Sequence, residues 1–319
     1  MAYKSILVPF DDSAASRAAL DTAYMVAAQH GSHIEIFHVR ADSKESIPLL
    51  GEGFSGAMIE EMIEAADQES GERSTRAKHY FEEFRKANDL AEVQSGPGPD
   101  GVSIWWREEI GREDQLVALR GRRTDIVVGG RPAEAMDQSA FMTLHAAIFE
   151  TARPVLLTPS EKPATIGRNI AIAWNGSMQA ARAVSSALPL LTGAENVHLA
   201  AFDTERSEMR FRGHELGEHL RWHGVETQKV ETITKSTDVG AALLEMCAAN
   251  DIDLLVMGAY THSRLMQIVF GGVTRPAITL TQANEIIAVI FVRGREMGLR
   301  PLAVPERRPR HPRSRSEDR

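Results

Sequence analysis

The sequence predicts an α/β protein made of two tandem, doubly wound units, each with a parallel sheet of five strands. Three observations lead to this fold class: the chain repeats itself, β-branched runs alternate with amphipathic segments, and the strand-like runs are apolar without alternation. Alternating strands and helices are typical of a parallel sheet with right-handed crossovers. Continuous apolar runs indicate strands that are covered on both faces. The length of 319 residues suits about two domains.

The repeat consists of matched segments in the two halves of the chain. Residues 4–13 (KSILVPFDDS) match residues 168–177 (RNIAIAWNGS), and each segment runs from an apolar strand through a polar turn into an Ala-rich helix. Three further pairs correspond: 33–39 with 196–202, 125–130 with 253–258, and 154–158 with 287–291. The predicted strands are 4–9, 33–39, 102–107, 125–129 and 154–158, then 169–174, 196–202, 226–232, 253–257 and 286–292.

The two halves differ in length between their second and fourth strands. The offset between matched segments falls from 163 to 128 residues, so the first half carries about 35 more. Within this insertion, at about residues 40–101, apolar residues recur at helical spacing and predict one helix over Gly56–Asn88. We expect a covering element that the fold does not need, with Met58, Met62, Phe81 and Phe84 on the sheet or on a partner.

These boundaries predict a first domain at 1–160, a second at 167–293 and a tail at 294–319. The tail holds eight Arg and four acidic residues, so it carries +4 while the rest of the chain carries −12. Because the tail has little apolar surface to bury, we expect it to be disordered. An acidic body argues against a broad nucleic-acid surface, although the tail itself could bind a nucleic acid or an acidic partner.

Composition also limits the compartment. No apolar run reaches the ~20 residues of a membrane span, and the short apolar run after Ser5 does not predict a signal peptide. A single cysteine, Cys247, excludes an internal disulfide and a cysteine-rich metal site. A cytoplasmic location is the simplest expectation.

The loop after the fourth strand of the second half is the strongest candidate for a binding site. In doubly wound sheets, ligands bind beyond the carboxyl ends of strands where the strand order reverses. Glycines at Gly258 and at Gly271–Gly272 flank this loop, and the second pair opens a predicted helix. A glycine-flanked helix N-terminus offers free N–H groups to a phosphate, with Thr274 or Ser263 as an added donor. A plain connecting loop, in which the glycines serve helix packing, is the alternative.

The strand–turn openings, the duplicated five-strand units and this loop together resemble the universal stress protein family in its tandem form. The resemblance covers the chain from Ala2 to Arg293, apart from much of the insertion. It implies a Rossmann-like fold similar to adenine-nucleotide hydrolases and a pseudo-dimer paired through residues 154–158 and 286–292. Further association into a homodimer stays open.

Nucleotide-binding members carry a Gly-x2-Gly-x9-Gly-Ser/Thr loop and an Asp at the end of the first strand. Gly258 and Gly271 match this loop, whereas Thr261 replaces its second glycine and Gly272 its Ser/Thr. The Asp position is held by Asn175, an amide that could still hydrogen-bond a base or ribose. The resemblance therefore implies that ATP or AMP, with or without Mg²⁺, binds the second half.

In detail, the phosphates are expected at Gly271, Gly272, Val273 and Thr274, with His262 nearby. The base and ribose are expected toward Ala173–Gly176 and near Phe202. The first half keeps the strand-end acid at Asp11 but lacks the loop, since no glycine lies between Gly130 and the last strand. We expect the first half to be structural and one nucleotide to bind per chain.

Other chemistries find less support. His214, His219 and His223 fall on one predicted helix, but they miss the His-Glu-x-x-His zinc pattern and suit a solvated face. The chain has neither a Gly-x4-Gly-Lys-Ser/Thr phosphate loop nor a Gly-x-Ser-x-Gly nucleophile elbow. Candidates for a hydrolytic base are Asp11, Asp12 and His262. The leading hypothesis is thus a non-enzymatic, nucleotide-binding stress protein, and the alternatives are an interaction protein without nucleotide, acting through an unknown partner, and a nucleotide hydrolase.

Overall fold

A computed structural model describes residues 2–42, 56–96, 98, 100–131, 138–159, 161–202, 213–233, 239–259 and 288–293. The first half contains β1 (Ser5–Pro9), α1 (Ala14–His30), β2 (His33–Arg40), α2 (Gly56–Ala87), β3 (Ala91–Glu92), β4 (Ser103–Ile110), α3 (Glu113–Gly121), β5 (Ile126–Gly130), α4 (Gln138–Glu150) and β6 (Val155–Thr158). The second half contains β7 (Asn169–Trp174), α5 (Met178–Leu191), β8 (Asn196–Phe202), α6 (Gly213–Arg221), β9 (Thr227–Ile233), α7 (Val239–Ala249), β10 (Leu254–Ala259) and β11 (Ala288–Arg293).

All described strands belong to one eleven-stranded sheet in the order β3-β4-β2-β1-β5-β6-β11-β10-β7-β8-β9. All strand pairs within each half are parallel. The first strand of each half lies between the second strand and a later one, β1 between β2 and β5 and β7 between β8 and β10, which confirms the predicted doubly wound order. The halves meet where β6 pairs with β11 in antiparallel register, with Leu156 opposite Ile290. The predicted pseudo-dimer through the last strands is therefore confirmed. The two-residue strand β3 was not predicted.

Two hydrophobic cores lie on opposite faces of the sheet, and both halves contribute to each. One core joins α1 and α2 to α5, and the other joins α3 and α4 to α7. The connection between the halves is packed as well. Ile166 is buried in the first core, and the side chain of Gln29 donates a hydrogen bond to the carbonyl oxygen of Ile166. The cores of the two halves are thus continuous.

The long helix α2 begins and ends within one residue of its prediction, but its role differs from the expected one. Its buried residues are Ala77, Phe81 and Phe84, all in the last third, where the helix forms the crossover from β2 to β4. A parallel strand pair requires such a crossover. The expectation that the fold does not need α2 is therefore wrong for this third.

No residue of the first two thirds of α2 is buried. Met58 is 48% exposed and Met62 is 42% exposed, so they do not cover the sheet, and the alternative that they meet a partner stays a prediction. Only Phe81 and Phe84 pack on the sheet as predicted. The predicted tail, residues 294–319, lies outside the described residues.

Candidate functional site

The turn after β7 sits at the switch point of the second half, between β10 and β8. The side chain of Ser177 caps α5 by accepting a hydrogen bond from the N–H of Ala180 at 3.1 Å. Oδ1 of Asn175 accepts the N–H of Ser177 at 3.2 Å, and Gly176 between them has a φ of +70°. Asn175 therefore shapes the turn that opens the predicted site.

The first half contains the same turn with different residues. Ser13 caps α1, and Oδ1 of Asp11 accepts the N–H of Ser13 at 3.0 Å. Asp12 takes the left-handed conformation, with a φ of +69°, and binds the guanidinium of Arg17 at 2.7 Å. Both carboxylates that the sequence offered as hydrolytic bases thus hold this turn together.

The hydrogen bonds of this turn favour the ionised form of Asp11. Burial alone would raise the pKa of Asp11, but hydrogen bonds from Ser13 and Ser16 outweigh it and lower the pKa below its ordinary value. In the second half, the neutral side chain of Asn175 accepts the equivalent hydrogen bond from the N–H of Ser177.

We expect Asp11→Asn to make the free energy of unfolding fall less steeply as the pH is lowered. A carboxylate whose pKa is lower in the folded state stabilises the fold above its unfolded pKa of about 3.9 and loses this contribution as pH falls through the folded pKa. Urea unfolding followed from pH 5 downward would measure the effect. The reciprocal variant Asn175→Asp should steepen the loss in the same range, and unchanged profiles in both variants would contradict this account.

Gly258 and Gly130 make equivalent contacts in the two halves. A β-carbon at Gly258 would lie 2.7 Å from the backbone of Gln179 and Ala180, where α5 begins. A β-carbon at Gly130 would overlap the carbonyl oxygen of Ala15 in α1. Each glycine lets the first helix of its half approach the end of a strand, so Gly258 has a packing reason besides any contact with phosphate.

The carboxyl ends of the strands are lined by smaller side chains in the second half than in the first. Ala173 lies opposite Ala200 in the paired strands β7 and β8, and Ala201 follows. At the matching positions of β1 and β2 the first half has Pro9, Phe37 and His38. The next position reverses the trend, since Trp174 stands where the first half has Phe10, and Ala173 and Ala200 are themselves buried in the second core.

An aromatic cluster occupies the corresponding edge of the first half. Phe10 stacks on Tyr80 of α2 with ring centroids 5.7 Å apart, and His38 stacks on Trp106 at 5.4 Å. Nδ1 of His38 donates to the carbonyl oxygen of Phe10 at 2.7 Å, and Arg17 lies 4.4 Å over the ring of Tyr80. Helix α2 thus fills the strand ends of the first half with its own side chains.

Two aspartates that sequence reasoning left without a role tie together the strand openings. Asp253 accepts hydrogen bonds from the N–H groups of Gly167, Arg168 and Asn169 and from the hydroxyl of Thr165. Asp125 accepts the N–H groups of Lys4 and Ser5 in the first half. Their signal was present in the repeat itself, because the matched segments 125–130 and 253–258 both begin with Asp.

The described residues bring together part of the predicted site. Ala173, Asn175, Gly176, Gly258 and the backbone of Phe202 meet at the carboxyl edge of β7, β8 and β10. The rest of the predicted site lies outside the described residues: Thr261, His262, Gly271, Gly272, Val273 and Thr274.

The remaining candidates behave as ordinary structural residues. Helix α6 ends at Arg221, so His223 lies beyond it, contrary to the prediction of one helix for the three histidines. No cluster of three metal-ligating side chains occurs among the described residues. Cys247 is fully buried, and desolvation raises the pKa of its thiol to about 12. None of the described helices is long and apolar enough to cross a membrane.

The profile of the universal stress protein family matches residues 2–142 and 168–282. The chain belongs to the universal stress protein family. Its two matched stretches correspond to the two halves of the sheet, so it is a tandem member with two such domains. A search of curated proteins gave no significant match.

Solved structures agree with this fold. A universal stress protein from Archaeoglobus fulgidus is 13% identical, with a TM-score of 0.60, over 91% of this chain and 98% of that one. A functionally unknown protein from Pseudomonas aeruginosa is 13% identical over 92% and 93% of the two chains, with a TM-score of 0.49. A universal stress protein in complex with cAMP is 14% identical over 50% of this chain and 100% of that one, with a TM-score of 0.28. At these identities, the first structure supports the universal stress protein fold alone.

Proposed function

We propose that this stress-response protein is cytoplasmic and binds one adenine nucleotide, ATP or AMP, in its second half without turning it over. The observation that carries the proposal is the contrast between the two switch points. Ala201 stands in the second half where the first half has His38, which stacks on Trp106 in the aromatic cluster, and the second half has no described helix side chain in the place of Tyr80. Ligands of doubly wound sheets bind at this edge.

The nucleotide would lie across the turn after β7 and the loop after β10. Its base and ribose would occupy the region of Ala173, Asn175, Gly176 and Phe202. Its phosphates would meet the loop from Gly258 through Thr261 and His262 to the helix start at Gly271–Thr274, accompanied by Mg²⁺ where ATP binds. A binding role suits the described carboxylates at the first switch point, since Asp11 and Asp12 both serve their own turn.

Calorimetric titration with ATP, ADP and AMP, with and without Mg²⁺, tests this proposal. We expect one site per chain, and we expect Gly271→Val to abolish binding because a side chain would occupy the space of the phosphate. Gly130→Val is unsuitable as the control, since its β-carbon would collide with Ala15. Gly193→Val is the better control, because Gly193 is exposed and a β-carbon there meets only the carbonyl oxygen of Leu190, at 3.7 Å.

Asn175→Asp tests the proposed contact between residue 175 and the base or ribose of the nucleotide. An aspartate at this position can still accept the N–H of Ser177, as Asp11 does for Ser13, so the turn is kept. We expect the affinity for ATP to rise because the family acid is restored. Two equivalent sites, or no heat at millimolar ATP, would overturn the proposal, and the second outcome would favour an interaction protein without nucleotide.

A further inference from the structure

Helix α2 has no buried residue over more than half of its length. Its 32 residues span about 48 Å, and its buried residues begin only at Ala77. Near the start of the buried part, Glu108 accepts the hydroxyl of Ser74 and also pairs with Arg40 at the end of β2. Arg40 and Ser74 thus contact the same carboxylate. We call residues Gly56–Arg73 the arm.

The surface of the arm combines apolar and acidic side chains. Met58 and Met62 are substantially exposed one turn apart. The acidic residues outnumber the single arginine six to one, which gives the arm a charge of −5: Glu60, Glu61, Glu64, Asp67, Glu69 and Glu72 against Arg73. Arg73 pairs with Glu69 at 3.2 Å. A second arm is a poor partner for this surface, because the like charges would repel.

We propose that the arm is the docking surface for the chain's own C-terminal tail, residues 294–319. The tail carries eight arginines and four acids, so its +4 complements the −5 of the arm.

The length of the tail is sufficient for this contact. The tail follows β11, which is separated from β4 by five strand spacings of about 4.8 Å. For an arm that continues along the strand direction beyond Ser74, strand register and helix rise put its middle about 40 Å from Arg293 in a straight line. The arginine-rich stretch begins at Arg307, and fourteen residues of extended chain span about 46 Å. The last arginine, Arg319, is 26 residues from Arg293, an extended span of about 86 Å, so the basic stretch as a whole has the length to reach the arm around the edge of the sheet.

The contact should be weak and sensitive to salt. An exposed ion pair contributes about 0.2–1 kcal/mol, and the tail loses conformational entropy when it docks. The Debye length falls from about 8 Å at physiological salt to about 3 Å at 1 M. We therefore expect docking at low salt and release at high salt.

Cross-linking of paired cysteines in the full chain tests the proposal. Met62→Cys and Ser314→Cys are joined with a short thiol cross-linker, while buried Cys247 stays inert. We expect an intramolecular product at low salt that falls at least fivefold at 1 M NaCl. The triple change Glu60→Gln, Glu61→Gln and Glu64→Gln should lower the amount of this product at low salt by a similar factor. The matched triple change Glu215→Gln, Glu218→Gln and Glu245→Gln, on exposed residues of the second half, should not.

Three results would overturn this assignment. Absence of the product at low salt would show that the tail does not dock on the arm. Products formed only between chains, in proportion to protein concentration, would place the tail on a second copy. An unchanged amount of cross-linked product after the arm acids are neutralised would assign the basic residues of the tail to another partner.

Discussion

Gly130→Ala is expected to destabilise the protein by about 3 kcal/mol, because the new β-carbon must displace the backbone of α1. The new β-carbon would overlap the carbonyl oxygen of Ala15 and lie 2.9 Å from the β-carbon of Ala15. Backbone atoms at a helix start cannot yield as the end of a flexible side chain does. The free energy of unfolding in urea, followed by far-UV circular dichroism, measures the effect.

The neighbouring glycine provides the control for this change. A β-carbon at Gly129 meets only Cδ1 of Leu144, at 3.7 Å, which is ordinary contact. Gly129→Ala should therefore alter the free energy of unfolding by less than about 1 kcal/mol. Equal effects of the two changes would show that the approach of α1 to β5 does not depend on Gly130.

Asp253→Ala is expected to destabilise the protein by about 3 kcal/mol through lost hydrogen bonds rather than a steric clash. The carboxylate is buried and accepts three backbone N–H groups and the hydroxyl of Thr165. Removing it leaves donors at the start of β7 without their acceptor, and each unsatisfied buried group costs about 1–3 kcal/mol. Urea unfolding again provides the measurement.

The equivalent aspartate of the first half, Asp125, provides the control, because it should show a smaller effect when replaced by alanine. Asp125 accepts only two backbone N–H groups, from Lys4 and Ser5, and is less buried than Asp253. We expect its loss to cost about half as much. A larger effect at Asp125 than at Asp253 would contradict the idea that the number of satisfied donors sets the stabilisation.

Much of the fold could be predicted because its signals are local and occur twice. Strand β7 was predicted with its observed bounds, and β1 within one residue, because apolar runs followed by polar turns mark both. The turn at Asp11 and Asn175 was recognised as a matched position, although not as a cap. Its hydrogen bonds join residues two positions apart, which is the range over which a sequence can be interpreted directly.

Other features depend on contacts between residues far apart in the chain. The packing role of Gly130 requires Ala15, and the role of Asp253 requires Gly167. The place of α2 was misjudged because periodicity shows which residues of a helix are apolar but not what covers them. Met62 and Phe81 fit one helical pattern, yet Met62 is exposed and Phe81 is fully buried.

The sequence by itself determined the two tandem units, the strand and helix order, and the membership in the universal stress protein family that the profile confirms. It did so because hydrophobic periodicity and turn residues act within a few positions and recur in both halves. Only the tertiary structure decided that the halves share two cores and that α2 fills the strand ends of the first half. Those outcomes depend on side chains such as Phe10 and Tyr80, which lie 70 residues apart in the chain and meet only once the sheet has formed.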